Sequence, residues 1–311
     1  MTYEHIPVLL NEVLEYLNPG PGQNFVDATL GGGGYSRGIL QKIGDGKLLS
    51  IDLDSDAVEN SRIKNEELGI RNWEIAQGNF SHIDKIVENH KFTNISGIVA
   101  DLGLSSYELE HRGMSFQTEQ PLDMRFDLSS QQPDAKFILN NFDEKRLIKI
   151  FNDYGEEKFS KQIVRKILET RNKGQAIHHT TDLFKIIQEA LPKPVKHKAN
   201  DSARRVFQAL RIEVNHELDN LEEFLPKAFD LLNPGGRLVV VSFHSLEDRI
   251  VKQFFVGLTK GCVCPPEFPQ CLCGKNPQGK ILTKKLVSAG PEELEKNTRS
   301  APAKLRAILK L

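Results

Sequence analysis

A run of four glycines that directly follows an aspartate-bearing apolar segment carries the clearest chemistry in this 311-residue sequence. Residues 27–34 read Asp-Ala-Thr-Leu-Gly-Gly-Gly-Gly, and Asp52 ends the next apolar segment. Glycines let a backbone approach a ligand closely, and a carboxylate at the end of the following strand can accept hydrogen bonds from both hydroxyls of a ribose. The pattern predicts a nucleoside-binding loop at one edge of a parallel sheet.

Two details distinguish this loop from one that binds a dinucleotide. Ser36 and Arg37 occupy the places where the third glycine of a G-x-G-x-x-G pattern would stand. Asp27 lies inside the predicted strand, where its charge would repel a pyrophosphate but could pair with the methionyl ammonium of S-adenosylmethionine. We therefore expect S-adenosylmethionine as the cofactor.

Three more residues follow predicted strands at the same edge of the sheet. Phe80 stands where an adenine ring would be covered, and an ordinary core aromatic is the alternative. Asp101 ends an apolar strand, where packing alone does not explain a carboxylate, so we predict that it faces a ligand. His244 follows the strand predicted at 237–243, and it could contact a substrate ring or relay a proton.

The elements that position these residues alternate in the first hundred residues. Apolar strand-like segments at 24–29, 47–53, 73–77 and 96–102 are separated by helical stretches, as in a doubly wound α/β sheet. Residues 136–198 have helical periodicity instead, with a turn at Gly174. An amphipathic pattern over 202–232 leads into the strand at 237–243, and two final strands at 281–288 and 305–311 could pair as an antiparallel edge.

The positive charge of the chain is concentrated in its middle. Residues 136–211 hold 17 Lys and Arg against 9 Asp and Glu, although the net charge of the whole chain is −1. Within the densest part we predict that Lys196, Lys198, Arg204 and Arg205 contact the phosphates of a nucleic acid. A solvated basic surface is the alternative.

The remaining composition limits where the protein works and what it binds. The longest uninterrupted apolar run, residues 238–241, is too short to cross a bilayer, and the acidic first residues do not resemble a signal peptide. We expect a cytoplasmic protein without a membrane partner. All four cysteines lie between Cys262 and Cys273, without the usual C-x-x-C spacing of zinc sites. We predict no metal and keep structural zinc as the alternative.

Nine blocks, in order along the chain, resemble the MraW family of ribosomal RNA small-subunit methyltransferases, also called the methyltransferase H family. The last of them is SFHSLEDR at 242–249. The others are HIPVLL at 5–10, the glycine run at 27–34, DLG with SS at 101–106, RGMSF at 112–116, PLDMR at 121–125, YGEE at 154–157, FQALRI at 207–212 and VNHEL at 214–218.

This resemblance implies an α/β, Rossmann-like class I S-adenosylmethionine-dependent methyltransferase fold with an inserted helical domain. Methyltransferase segments are expected at 1–110 and 206–311, and a substrate-recognition insert at 111–205. The implied reaction is methylation of N4 of cytidine 1402, in standard numbering, in the 16S rRNA of the small ribosomal subunit.

The cofactor contacts of the family can be carried over residue by residue. They fall on Gly33, Gly34, Tyr35, Asp52, Phe80, Asp101 and Glu108. Tyr35 stands where the family commonly has His, and we expect this position to act through its backbone. Glu108 replaces a common Gln, and an ionised carboxylate cannot donate a hydrogen bond as an amide can.

The chemistry of a cytosine amine assigns the catalytic candidates. Its lone pair is delocalised into the ring, so methylation needs an acceptor for the N–H hydrogens and an in-line approach to the methyl group. Asp101 is the leading candidate and His244 the second. For Asp123 and Arg125 we consider an RNA clamp and a structural brace, and we favour the brace.

Two alternatives remain beside this interpretation. A non-catalytic RNA-binding assembly factor would not need Asp101 or the block at 242–249. A methyltransferase acting on a protein or a small molecule would not need the basic insert. The oligomeric state is left open, a homodimer included.

Overall fold

The computed structural model describes residues 7–104, 109, 111–261 and 274–311. They form two compact units: a sheet unit, Met1–Gly103 with Asp219–Leu311, and a helical unit, Leu104–Leu218. The helical unit is larger than the insert predicted at 111–205. Residues 206–218 belong to it because Val206, Phe207 and Leu210 are buried in its apolar core.

The sheet unit is built on seven strands in the order β3-β2-β1-β4-β5-β7-β6. Strands β1 to β5 are parallel, and β7 runs antiparallel to both β5 and β6. This confirms the predicted α/β class. The strands are β1 Asn24–Asp27, β2 Leu48–Asp52, β3 Trp73–Gln77, β4 Ile95–Asp101, β5 Leu232–Ser242, β6 Gly279–Ile281 and β7 Lys304–Lys310.

Twelve helices lie in the part of the chain that the structure describes, and α5 to α9 belong to the helical unit. In chain order they are α1 Leu10–Leu17, α2 Gly34–Ile43, α3 Ser55–Leu68, α4 Ile83–Asn89, α5 Ala135–Asn141, α6 Glu144–Asp153, α7 Ser160–Asn172, α8 Thr180–Ala190, α9 Ala199–Asn215, α10 Glu217–Leu231, α11 Ser245–Thr259 and α12 Pro291–Lys296. Short 3-10 turns cover Phe80–His82, Lys193–Lys198 and Thr298–Ser300.

The alternation of side chains along the strands explains how the sheet is covered. Successive residues point to opposite faces, so Val26 lies in one apolar cluster and Phe25 in the other. Asp27 is on the same face as Phe25, and on β2 Ser50 shares that face with Leu48. The face that packs against α2 therefore receives polar side chains among its apolar ones.

Two predicted segments differ from the structure in detail. The amphipathic pattern at 202–232 is two helices, because His216 adopts a left-handed conformation with φ 51° and interrupts it. The predicted antiparallel pair at the end of the chain is confirmed, but its first strand is short, at Gly279–Ile281 instead of 281–288, and forms the edge of the sheet. None of the helices within the described ranges is both long enough and apolar enough to span a bilayer.

Candidate active site

Three carboxylates end three adjacent parallel strands of the sheet unit. Asp27 closes β1, Asp52 closes β2 and Asp101 closes β4, and the strand order places β1 between the other two. The carboxyl edge of such a sheet is where α/β proteins bind ligands. Among the described residues, none of the three makes an ion pair with a lysine or an arginine.

Asp52 is held by the backbone and retains the capacity to bind a ligand. Its two carboxylate oxygens accept the Gly31 N–H at 2.7 Å and the Asp54 N–H at 2.9 Å. Burial raises the pKa of Asp52 to about 6, and these N–H groups oppose the rise. Each carboxylate oxygen has a further lone pair, so Asp52 can still accept ribose hydroxyls.

The glycine loop leaves room beside Asp52. Gly31 has φ 48°, a conformation that favours glycine, and a Cβ atom built there meets no atom within 4 Å. The backbone at this point is therefore open to a ligand. This open cradle, next to a carboxylate with free lone pairs, fits the adenosine part of the expected cofactor.

The two predicted loop contacts, Gly33 and Gly34, have structural reasons to be glycine. Gly33 caps α2 with φ 72°, and its N–H donates to the Leu30 carbonyl at 2.7 Å. A Cβ atom at Gly34 would lie 2.7 Å from the ring of Pro7. The tight packing of Pro7 against α2 is thus enough to require a glycine at position 34.

Asp101 is fixed from the side of β1 and from its own loop. Its backbone N–H donates to the Thr29 hydroxyl at 2.6 Å, and its Oδ1 accepts the Gly103 N–H at 3.2 Å. Burial raises the pKa of Asp101 to about 7, the Gly103 N–H and the Tyr35 hydroxyl lower it, and the charge of Glu247 raises it further. The group can therefore change protonation state near neutral pH.

Tyr35 supports Asp101 through its side chain. The ring is buried, and its hydroxyl has two acceptors within hydrogen-bond reach, the Val8 carbonyl and the Asp101 carboxylate, which compete for its one proton. The pKa of Tyr35 is well above its ordinary value because of burial and the charges of Asp101 and Asp27. The side chain at this position is thus committed to the protein, which leaves only the backbone for the predicted cofactor contact.

The Asp27 side chain has no accessible surface through which it could form the predicted ion pair with the cofactor. The side chain is fully buried, and it accepts the Ser36 hydroxyl at 2.6 Å and the Thr29 N–H at 3.3 Å. The predicted contact between Asp27 and a methionyl ammonium is therefore wrong for this conformation. The sequence could not show that Asp27 is buried, because the packing of α2 causes the burial. Burial raises the pKa of Asp27 to about 7, while the Ser36 hydroxyl lowers it.

Phe80 and His244 have protein contacts that would be sufficient reasons for their presence. Phe80 packs edge-on against Phe224, with ring centroids 5.0 Å apart. His244 caps α11: its Nδ1 accepts the Glu247 N–H at 3.4 Å, and its Nε2 lies 3.0 Å from a Glu247 oxygen without hydrogen-bond geometry. Their ligand contacts stay predictions.

Of the four residues predicted to contact RNA, three are exposed and one pairs with a buried carboxylate of the protein. Lys196 and Lys198 are exposed on the 3-10 turn, and Arg204 is exposed, with an ion pair to Asp201 at 2.9 Å. Arg205 instead pairs with Glu157 at 2.7 Å, and the Glu157 side chain has no exposed surface. Arg205 is therefore a structural brace of the helical unit.

Asp123 and Arg125 form the brace that the sequence favoured. Two parallel hydrogen bonds of 2.8 Å join them, and a third arginine nitrogen donates to the Ser130 carbonyl at 2.7 Å. Burial alone would raise the pKa of Asp123, but Arg125 holds it below its ordinary value.

Glu108, predicted to contact the cofactor, and the four cysteines, considered as zinc ligands, lie outside the described residues.

Several polar residues that shape this site were not predicted from the sequence. Thr29 supports Asp101, and Ser36 and Ser50 line the buried side of Asp27. A signal for Ser50 was present: a serine at an inward position of an otherwise apolar strand, level with Asp27 on the neighbouring strand. Ser36 carried no such signal, because a serine in the first turn of a helix is common.

Comparison with known proteins agrees with this geometry. Residues 2–311 match the model of the MraW methylase family. Proteins named ribosomal RNA small subunit methyltransferase H from Carboxydothermus hydrogenoformans and Heliobacterium mobile are each 44% identical to this chain, over all of it and over 99% and 100% of their own lengths. The protein of that name from Finegoldia magna is 41% identical over both full lengths.

Similarity to solved structures is weaker. A putative rRNA methylase from Clostridium thermocellum aligns with 99% of this chain and 100% of its own, at 13% identity and a TM-score of 0.46. The assignment rests on the full-length sequence matches instead. On those matches, the chain belongs to the MraW methylase family.

Proposed function

We propose that this protein methylates N4 of cytidine 1402 in the 16S rRNA of the small ribosomal subunit. The family is one of methylases, and the full-length relatives are named as small-subunit rRNA methyltransferases. S-adenosylmethionine is the methyl donor. We expect the reaction to take place in the cytoplasm.

The observation that carries the proposal is the set of carboxylates at the ends of β2, β1 and β4. Asp52 lies beside the open backbone of Gly31, where a ribose can be held. Asp101 lies two strands away at the same edge, with a fixed orientation and a pKa of about 7. One sheet edge thus carries a carboxylate with free lone pairs beside an open backbone and a second carboxylate that can accept a proton, which supports the proposal.

The chemical demand on these residues is modest. S-adenosylmethionine held there would supply a methyl group on a positively charged sulfur. Transfer of that methyl group to N4 would leave neutral S-adenosylhomocysteine and would require the amine to lose one proton. Asp101, when ionised, accepts a hydrogen bond from the amine, orients its lone pair and can receive that proton. Asp52 holds the ribose in place.

The helical unit supplies the positive charge for RNA. Lys196, Lys198 and Arg204 are exposed there and can contact phosphates without reading sequence. The target base would have to be unstacked to reach a partly buried carboxylate at the edge of the sheet. We exclude Arg205 from this surface because its guanidinium is paired within the unit.

Calorimetry tests the cofactor site. Asp52→Ala should weaken S-adenosylmethionine binding through the loss of charge-assisted ribose hydrogen bonds, each worth about 1.5 to 3 kcal/mol. Asp45→Ala is the matched control, because Asp45 is exposed near the opposite end of β2. Equal affinities for the two variants would remove Asp52 from the site.

Mass spectrometry tests the substrate. Small-subunit rRNA from cells that lack this protein should contain an unmethylated cytidine at the proposed position, and the intact protein should restore the N4-methyl group. If Asp101→Asn restores it equally well, Asp101 is not catalytic. If the nucleoside is unaffected by loss of the protein, the non-catalytic assembly factor becomes the better interpretation.

A further inference from the structure

A line of hydrogen bonds connects the single tryptophan of the chain to the carboxylate at the end of β1. The Trp73 indole nitrogen lies 2.8 Å from the Ser50 hydroxyl, which lies 2.8 Å from the Ser36 hydroxyl. The Ser36 hydroxyl lies 2.6 Å from Asp27 Oδ2. All four side chains are buried, so these groups depend on one another for hydrogen-bond partners.

The direction of this line is fixed at its start. An indole N–H can only donate, so the Ser50 oxygen accepts from Trp73 and its own proton is directed to Ser36. Ser36 then directs its proton to Asp27. Each hydroxyl donates once and accepts once, and the line ends on a carboxylate oxygen.

Protonation of Asp27 would disturb this arrangement. A proton on Oδ2 would turn the Ser36 hydroxyl back towards Ser50, whose own proton would then lose its buried acceptor. A proton on Oδ1 would face the Thr29 N–H, which already donates to that oxygen at 3.3 Å. Either event leaves a buried donor without a proper partner, which costs free energy. The line of donors therefore favours the ionised carboxylate.

We propose that Ser36, Ser50 and Trp73 are positioning residues that keep Asp27 able to ionise at neutral pH. The resulting buried negative charge before the glycine loop favours binding of S-adenosylmethionine, whose sulfur is positively charged, over S-adenosylhomocysteine, whose sulfur is neutral. This inference rests on the proposed function. It gives Asp27 an electrostatic role in place of the direct contact that its burial prevents.

The protonated and ionised forms of Asp27 are close enough in free energy at neutral pH for the loss of one hydrogen-bond donor to change which form predominates. Burial raises the pKa of Asp27 to about 7, and the neighbouring carboxylates of Asp101 on β4 and Asp52 on β2 raise it too. Tyr35 on α2 also faces it, and the Arg37 guanidinium donates to the Gly32 carbonyl at 2.8 Å. Loss of the Ser36 hydroxyl would move the pKa further up and leave Asp27 mostly neutral at pH 7.

A packing role and an electrostatic role predict opposite orders of effect. Trp73 has the largest side chain of the three positioning residues and lies in the apolar cluster with Ile39 and Leu48, so packing alone makes Trp73→Phe the most damaging change. The electrostatic role makes Ser36→Ala most damaging to cofactor binding, Ser50→Ala intermediate and Trp73→Phe least, because the effect decreases with distance from Asp27.

The first experiment measures S-adenosylmethionine affinity against pH for the wild type and these three variants. Binding should weaken as pH falls, and the midpoint should move to higher pH in the order given. For Ser36→Ala we expect a loss of about fivefold at neutral pH, because a rise of one pKa unit from about 7 lowers the ionised fraction of Asp27 from about one half to about one eleventh. The loss for S-adenosylhomocysteine should be smaller. Ser61→Ala, a buried serine of α3 outside the line, is the matched control.

The second experiment needs no cofactor. Trp73 is the only tryptophan, so its fluorescence reports on this line of hydrogen bonds directly. Emission of the wild type should change between about pH 5 and about pH 9, and Asp27→Asn and Ser36→Ala should abolish the change. This comparison uses the wild type as its reference, so it remains informative if one variant folds poorly.

The outcomes separate this inference from the proposed function. Equal pH midpoints in all variants, an order that follows side-chain size, or wild-type fluorescence that does not respond to pH would each overturn the role of the three residues. Failure of the wild type to bind S-adenosylmethionine at all would instead overturn the proposed function.

Discussion

The Arg205 guanidinium donates to a Glu157 carboxylate at 2.7 Å, and no part of the Glu157 side chain is exposed. The pair joins α9 to the segment before α7, and Glu157 also accepts the Phe159 N–H at 2.8 Å. A buried carboxylate without its cation is costly, so this contact binds two parts of the helical unit together.

The first prediction is that Arg205→Ala destabilises the protein by about 2 kcal/mol. This is less than the roughly 3 to 5 kcal/mol expected for a fully buried pair, because about a third of the Arg205 side chain is exposed to solvent. Arg204→Ala is the control, and its effect should be below about 0.5 kcal/mol because its ion pair is exposed. Urea denaturation measures both. Equal losses in the two variants would contradict the bracing role.

The second prediction concerns RNA. The double variant Lys196→Ala/Lys198→Ala should weaken binding and reduce the salt dependence of the binding constant by about 1.4 logarithmic units per decade of salt, at roughly 0.7 for each phosphate contact to a single strand. Lys42→Ala/Lys85→Ala removes the same charge from exposed positions of the sheet unit. Filter binding across a salt series measures both. If the salt dependence falls equally in both double variants, the net charge of the protein and not the turn at Lys193–Lys198 determines RNA binding.

The third prediction is that Asp101→Asn slows methyl transfer by about 100-fold or more while the fold is preserved, because the change is nearly isosteric and removes an acceptor that acts in the transition state. Single-turnover rates at saturating cofactor separate chemistry from binding. A variant with the wild-type rate would show that Asp101 is not catalytic, and His244 would be tested next.

The fourth prediction uses the contact between Tyr35 and Asp101. Because the Tyr35 hydroxyl lowers the pKa of Asp101, Tyr35→Phe should raise it. The ionised form of Asp101 is the active one in our proposal, so the rate should rise through a midpoint that lies at higher pH in the variant, by about half a pKa unit or more. Tyr16→Phe, in α1, is the control. An unchanged midpoint together with a lower rate at every pH would indicate a packing role only.

The fifth prediction is that the protein without cofactor loses stability as pH rises from about 4 to about 7. The pKa of Asp27 in the folded chain, about 7, is higher than its ordinary value of 3.8, so folding favours the protonated form and this contribution disappears as the group ionises. Asp27→Asn should reduce the loss in free energy of unfolding over this pH range by at most about 4 kcal/mol. Denaturation at a series of pH values measures the slope, and a slope identical to the wild type would contradict the raised pKa.

Much of the fold was predictable because its causes are local. The nearly continuous burial of β1, β2 and β4, the glycines after β1 and the polar residues that close the strands are all properties of neighbouring positions. They fixed the parallel sheet, the ligand edge and the candidate carboxylates Asp52 and Asp101. The concentration of basic residues in the middle of the chain was equally readable from composition.

The boundaries were less predictable. The pattern over 202–232 is continuous in sequence, but a left-handed backbone at His216 divides it, and the first part belongs to the helical core. Periodicity shows that a helix has an apolar face and does not show which core receives it.

The individual roles of charged residues were decided only by the tertiary structure. In the sequence Arg204 and Arg205 are equivalent, yet one is exposed and the other pairs with a carboxylate 48 positions away. Asp27 was expected to meet a ligand and is buried against Ser36. The sequence by itself determined which chemical groups reach the edge of the sheet, because strand periodicity and length decide that. Which of those groups remain available to a ligand depends on partners distant in the chain, and only folding brings those partners together.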